Sequence, residues 1–344
     1  MLKLPVSKMD ELFSLINSER TLYMPLEKNS EICFDKWSSD ASIRLDKLNT
    51  VKSPKDFFFP ASENIAAFKT KGKEIIMDDI RSEIEPFALF GVRACDAESF
   101  NLLDLIFLND KDFVDTFYES RRQNGIIITT ACNEPEETCF CNVFNIDAAN
   151  PGGDISTWII DDTLYWNSLT KKGSGLTEKI KKMFEQADES EIADHQAKIS
   201  GVINKLPFKD LSLDGFTGEA LIEKFSSNQW EEICHTCLSC GTCTFICPTC
   251  HCYDIQDFDT GKEIHRIKCW DSCMYYDFTL MAHGNPRTSL LERFRQRYMH
   301  KLVYFPENND GAYACVGCGR CVQKCPISMN IVKVAKALKY EGMK

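Results

Sequence analysis

The sequence contains no apolar run near the ~20 residues that span a bilayer. Its opening residues, Met1-Leu2-Lys3-Leu4-Pro5, lack the apolar stretch of a signal peptide. Basic charge is in deficit. Lys and Arg number 40 against 51 Asp and Glu, a net charge of −11, which argues against binding nucleic acid through its phosphates. A nucleotide-cradling glycine loop is also missing. Gly173-Ser174-Gly175 lacks the third glycine of G-x-G-x-x-G, and no Walker A sequence is present. There is no low-complexity tract and no solenoid repeat. These absences lead us to expect a cytoplasmic chain with no membrane span and no nucleic-acid partner, its 344 residues suiting two or three domains.

Cysteine, by contrast, is abundant. The chain has 18, and 13 of them lie between Cys234 and Cys325. In a long chain without secretion signals, such a concentration points to metal or redox chemistry rather than to a disulfide framework.

The N-terminal part reads as α/β. Apolar residues at helical spacing (Met9, Leu12, Phe13, Ile16) predict a helix over 8–20. Short strand-like pieces follow over 51–86, broken by Pro54, Pro60, Gly72 and Pro86. Phe87–Val92 and Ile126–Thr130 are continuous apolar runs expected of buried strands, with helices over 100–107, N-capped by Asp96, and over 114–122. Two strands joined by so long a connection should pair in parallel. Further strands are expected over 156–160 and 163–166, and a helix over 177–186. We therefore divide the chain into an α/β domain (1–186), a polar linker (187–229) and a cysteine-rich domain (230–344).

The cysteine-rich part carries one motif twice: Cys237-x2-Cys240-x2-Cys243-x3-Cys247-Pro248 and Cys315-x2-Cys318-x2-Cys321-x3-Cys325-Pro326. This is the run of two-cluster bacterial ferredoxins, in which the fourth cysteine ligates the other cluster. Two-residue spacers fold three thiolates round one face of a cube, and small residues (Ser239, Gly241, Gly317, Gly319) let backbone N–H groups approach it. The reading predicts two [4Fe–4S] clusters: cluster A on Cys237, Cys240, Cys243 and Cys325, cluster B on Cys315, Cys318, Cys321 and Cys247. Structural zinc is the rival, but zinc sites seldom repeat three cysteines at this spacing followed by Cys-Pro. The 67 residues between the copies (248–314) exceed a compact ferredoxin's connection. Helical pattern over 289–303 and 331–338 resembles the α-helical ferredoxins of fumarate reductase and heterodisulfide reductase subunits.

Longer stretches resemble one family. The segments 237–254 (CLSCGTCTFICPTCHCYD), Cys269-Trp-Asp-Ser-Cys273, Asn285-Pro286-Arg287, 293–301 and Gly91-Val92-Arg93-Ala94-Cys95-Asp96 are similar to the sulfhydrogenase β-subunit family, which also takes in an anaerobic sulfite reductase component. So is Thr138-Cys139-Phe140-Cys141. The resemblance covers about 85–335 and is weakest before residue 80. It implies an electron-transfer subunit with no catalytic residue of its own. Such a subunit works between an FAD- and NAD(P)H-binding reductase subunit and a catalytic hydrogenase or reductase subunit of an anaerobic oxidoreductase complex. The alternatives are a catalytic reductase using an N-terminal cysteine-ligated cluster, a component of a bifurcating heterodisulfide-reductase-like complex, and a zinc-structured interaction protein.

Four N-terminal cysteines make a candidate third site. Cys95 and Cys132 each follow a predicted parallel strand, which puts both at the carboxyl edge of one sheet, where α/β proteins bind ligands. Cys139 and Cys141 lie close enough in sequence to join them. Four thiolates suffice for a third [4Fe–4S] cluster; zinc and inert packing are the rivals. Arg93 is either a counter-charge there or an ordinary salt-bridge partner. The remaining Cys250, Cys252, Cys269 and Cys273 either bind metal or pack beside the clusters, Cys234 is undecided, and Cys33 reads as a core residue. The basic segment Arg293, Arg295, Arg297, His300, Lys301 either offsets thiolate charge, docks a partner or is a solvated face.

Overall fold

The computed structural model describes residues 1–47, 49–78, 84–110, 112–216 and 220–339. Chain order begins β1 (Leu2–Pro5), α1 (Met9–Glu19), β2 (Thr21–Lys28), β3 (Glu31–Lys36), β4 (Ser62–Lys71) and β5 (Glu74–Asp78). It continues with β6 (Phe87–Val92), α2 (Ala94–Phe107), α3 (Thr116–Asn124), β7 (Gly125–Thr130), β8 (Ile155–Ile160) and β9 (Thr163–Ser168). Then come α4 (Lys171–Ile180), β10 (Glu185–Gln186), α5 (Ser190–Ile203), α6 (Leu221–Ser226), α7 (Gln229–Cys234) and α8 (Thr242–Phe245). The chain closes with β11 (Tyr253–Asp259), β12 (Glu263–Trp270), α9 (Leu290–Met299), α10 (Phe305–Asn308), α11 (Arg320–Gln323) and α12 (Ile331–Lys339).

An eight-stranded sheet, ordered β10-β1-β9-β8-β7-β6-β2-β3, forms the N-terminal part. Its four middle strands, β8, β7, β6 and β2, run parallel, and the outer pairings are antiparallel. Successive residues of β6 and β7 point to opposite faces, and both faces are covered, so the strands read as unbroken apolar runs. Ala88, Phe90, Ile126 and Ile128 pack with Leu12, Phe13 and Ile16 of α1 and Leu176 and Ile180 of α4. On the other face Phe87, Leu89 and Ile127 pack with Phe100, Leu103 and Phe107 of α2 and Tyr118 of α3.

Three sequence expectations fail here. The helix expected over 177–186 begins earlier, at Lys171, and gives way to β10, because the Thr170 side chain caps Gly173 N. Asp96 does not cap α2. The helix starts at Ala94, and the carboxylate of Asp96 is taken by Arg320. The stretch 187–229 is not a bare linker: it carries α5 and α6, and α5 buries Ile192, Ile199 and Ile203 beside Trp158 and Tyr165 of the sheet.

The C-terminal part departs from an all-helical plan. β11 and β12 form an antiparallel hairpin within the 67-residue insert, and β12 pairs with β4 to make a four-stranded sheet ordered β11-β12-β4-β5. This sheet joins regions almost two hundred residues apart, as in the pair Ile264↔Phe68. Helices surround the rest. Trp230 and Ile233 of α7, Phe294 and Tyr298 of α9, and Val334 and Leu338 of α12 share one core with Phe140.

Candidate iron–sulfur centres

The two motif copies adopt the same backbone. Ser239 and Gly241 have φ of 53° and 72°, and their counterparts Gly317 and Gly319 have 59° and 78°. Left-handed residues at matching positions turn the loop in on itself, so that successive cysteines face a common space. Each loop then enters one helical turn, α8 or α11.

Cys237, Cys240 and Cys243 line one cavity together with Cys325 of the other copy. Reciprocally, Cys315, Cys318 and Cys321 each feel the charge of Cys247. The eight repeat cysteines thus fall into two crossed sets. In the second set, burial pushes Cys315 up to about 12 and Cys318 up to about 11. Bare thiols buried there would stay protonated; a cation or metal is needed to hold them as thiolates.

The third group also shares one cavity. Cys95, Cys132, Cys139 and Cys141 line a single cavity with Arg93, Gly317 and Cys318. Cys95 lies just past β6 and Cys132 just past β7, at the carboxyl edge of the parallel strands. Burial pushes the Cys141 thiol up to about 12 and raises Cys95 and Cys139. This group abuts the second set directly. Phe140 N donates to Gly317 O at 2.8 Å, and the Cys139 thiol lies 3.7 Å from Cys318 O.

Each group has its own buried cation. Arg93 is 2% exposed and its Nη2 lies 3.5 Å from Cys132 Sγ. Arg297, also 2% exposed, donates Nη2 to Cys243 O at 3.1 Å. Lys301 Nζ donates to Thr249 Oγ1 at 2.9 Å and Ala314 O at 2.8 Å. Burial opposes the charge of Lys301, but the thiols of Cys247, Cys250 and Cys315 more than reverse this and hold its pKa above the usual lysine value. Of the basic segment, Arg297 and Lys301 thus turn inward. Arg293 and Arg295 bond the carbonyls of Met274 and Phe225 nearer the surface. The turn that aims Lys301 is π-helical, over His300–Tyr304.

The donor sets can be tested against the clusters they would hold. Nε and Nη1 of both Arg93 and Arg297 are buried and have no hydrogen-bond partner. Unmet guanidinium donors of this kind are costly. A cluster's sulfurs, anionic and hydrogen-bond accepting, would satisfy them, so the residues fit the group. The glycines fit as well. A Cβ at Gly317 would stand 2.3 Å from Phe140 O, and one at Gly319 2.6 Å from Thr138 O, so only glycine lets the second loop lie against the third group.

Comparison with known proteins agrees with this geometry. A 4Fe-4S dicluster domain model matches residues 236–329. Over 97% of its length the chain is 32% identical to sulfhydrogenase 2 subunit beta of Pyrococcus furiosus, 96% of which is covered. The chain belongs to the sulfhydrogenase β-subunit family. Family and domain together make it an iron–sulfur electron-transfer subunit. No solved structure matches. Among the described residues, no helix is long and apolar enough to cross a membrane.

Sequence reasoning missed Lys55, the Arg320–Asp96 pair and the placing of Cys252 and Cys273 in one cavity wall. Lys55 is 2% exposed, donates to Cys250 O at 2.7 Å and sits 3.8 Å from the Trp270 ring centre. A lone lysine in a loop gives no sequence signal of burial. Cys33 is half-buried on the edge strand β3, not in the core.

Proposed function

We propose that the chain carries three [4Fe–4S] clusters and relays electrons between an FAD- and NAD(P)H-binding subunit and a catalytic hydrogenase or reductase subunit. The division is a sheet domain holding the third cluster and a C-terminal dicluster domain, helical outside its β-hairpin. Cluster A rests on Cys237, Cys240, Cys243 and Cys325, cluster B on Cys315, Cys318, Cys321 and Cys247, and the third on Cys95, Cys132, Cys139 and Cys141. One observation carries the reading. The three thiol groups adjoin in series, the third touching the second through Cys318, and the first reaching the surface at Cys240. Bound clusters supply one-electron redox chemistry, at potentials set by burial, charge and hydrogen bonds to sulfur.

The chain's own residues do the rest. Arg93, Arg297 and Lys301 offset thiolate charge where water cannot. Burial of the second and third groups keeps solvent out. Leu238, 63% exposed beside the exposed Cys240, leaves that end open to a partner. All four N-terminal cysteines lining one cavity supports full thiolate ligation, against the open coordination position a catalytic site would need.

The test is composition. Anaerobically purified chain should contain about twelve irons and matching acid-labile sulfide, with no stoichiometric zinc. Cys132→Ser should lower iron to about eight while the remaining reduced-cluster EPR signals persist. About eight irons in the parent would remove the third cluster, and zinc in place of iron would remove the relay.

A further inference from the structure

Two cysteines outside the three groups meet at the base of the β11–β12 hairpin. Tyr253 opens β11 opposite Trp270, the last residue of β12. Asp271 N then donates to Cys252 O at 3.0 Å and closes the base. This sets Cys273 beside Cys252 in the wall of a single cavity. The two are not bonded to each other, and neither is fully buried. Both line a surface cavity of ≈ 340 Å³, whose walls include His251, Arg287 and His300. Cys269 is placed differently, on β12 opposite Asp254, and Cys234 packs in the helical core.

The two thiols are unlike. The hydrogen bond from Cys273 holds Cys252 down to about 7, and the same bond, followed by burial, pushes Cys273 up. A thiol titrating near ambient pH combines thiolate fraction with nucleophilicity, the optimum for attack on a disulfide. Burial lowers His251 to about 4 and His300 to about 3, so both imidazoles are neutral near pH 7. Arg287 leaves the cavity wall with a positive charge.

We propose that Cys252 and Cys273 form a thiol–disulfide exchange site for a small anionic disulfide. The Cys252 thiolate attacks one sulfur of the ligand. The ligand's S–S bond breaks, and the departing thiolate takes up the proton that Cys252 gave to solvent. Cys273 then attacks Cys252 Sγ in the mixed disulfide, and the second ligand thiol leaves with the Cys273 proton. One ligand disulfide is reduced to two thiols, and two cysteine thiols are oxidised to one disulfide. Excess small thiol drives the sequence backward.

The probe is oxidised glutathione, added to the full chain isolated anaerobically with its iron. After alkylation, peptide mass spectrometry should find a Cys252–Cys273 cross-link, two reduced glutathiones released per chain and no loss of iron. Cys273→Ser should halt at a glutathione adduct on Cys252. Arg287→Gln should slow the reaction about fivefold with oxidised glutathione and leave that with neutral hydroxyethyl disulfide unchanged. Both cysteines recovered as alkylated free thiols would overturn the proposal. So would iron lost from Cys252→Ser, which would make that residue a cluster ligand. The iron count of the parent chain reads the relay assignment independently of the exchange.

Discussion

At the scale of single residues, the second motif loop depends on glycines whose purpose is contact rather than flexibility. Gly317 has φ of 59°, and its missing side chain leaves room for Phe140 O. Gly72 has a similar φ of 66°, in the turn between β4 and β5, where a Cβ would meet nothing within 4 Å. Alanine should therefore cost about 1 kcal/mol at Gly72, from backbone strain alone. At Gly317 it should cost about 3 kcal/mol, because backbone must also shift. Thermal unfolding of the two variants, followed by circular dichroism under anaerobic conditions, checks the difference. The same loop illustrates legibility. Spacing disclosed the eight repeat cysteines and the small residues among them. The orphaned guanidiniums of Arg93 and Arg297 were not legible, because burial is a property of what surrounds a side chain.

At the scale of elements, the β11–β12 hairpin is the main departure from the sequence expectation. β11 is exposed along its whole length, so its residues carry no buried-strand alternation to read. Pairing of β12 with β4 gives it a place. That seam is pinned by Lys268, 5% exposed, whose Nζ lies 2.8 Å from Asp115 and 3.3 Å from Glu63. Lys268→Ala removes the cation shared by the two carboxylates, though Glu63 keeps Arg121 and Asp115 keeps the backbone N–H groups of Phe117 and Tyr118, and should cost about 2 kcal/mol. Lys69 also pairs across this sheet, with Asp78, but its side chain is 52% exposed. Lys69→Ala should cost less than about 1 kcal/mol. Chemical denaturation of the two variants tests the contrast. The parallel strands β6 and β7 were legible for the opposite reason: burial on both faces writes an apolar run into the sequence.

At the scale of the whole molecule, the sheet domain and the dicluster region are joined by a buried ion pair. Arg320, inside the second motif, donates to both carboxylate oxygens of Asp96, in α2, at 2.6 and 2.7 Å. The side chains are 1% and 0% exposed, and Arg320 also donates to Thr50 O at 2.9 Å. Asp96→Ala strands a buried guanidinium and should cost about 3–5 kcal/mol. Adding Arg320→Met should recover part of that loss, since the unpaired charge goes with it. Limited proteolysis between the two regions should accelerate in the single variant and less in the double. If the single variant is as resistant as the parent, the pair is not what holds the regions together.

The sequence by itself determined the repeated cysteine motif, the α/β start and the family, because each rests on local spacing or on periodicity along the chain. Tertiary structure alone decided two things: that the cavity of the four N-terminal cysteines abuts the second cysteine set, and that a hairpin from the insert completes a sheet begun two hundred residues earlier. Both are contacts between distant segments. They depend on how sheet and helices pack in three dimensions, which no local pattern of residues encodes.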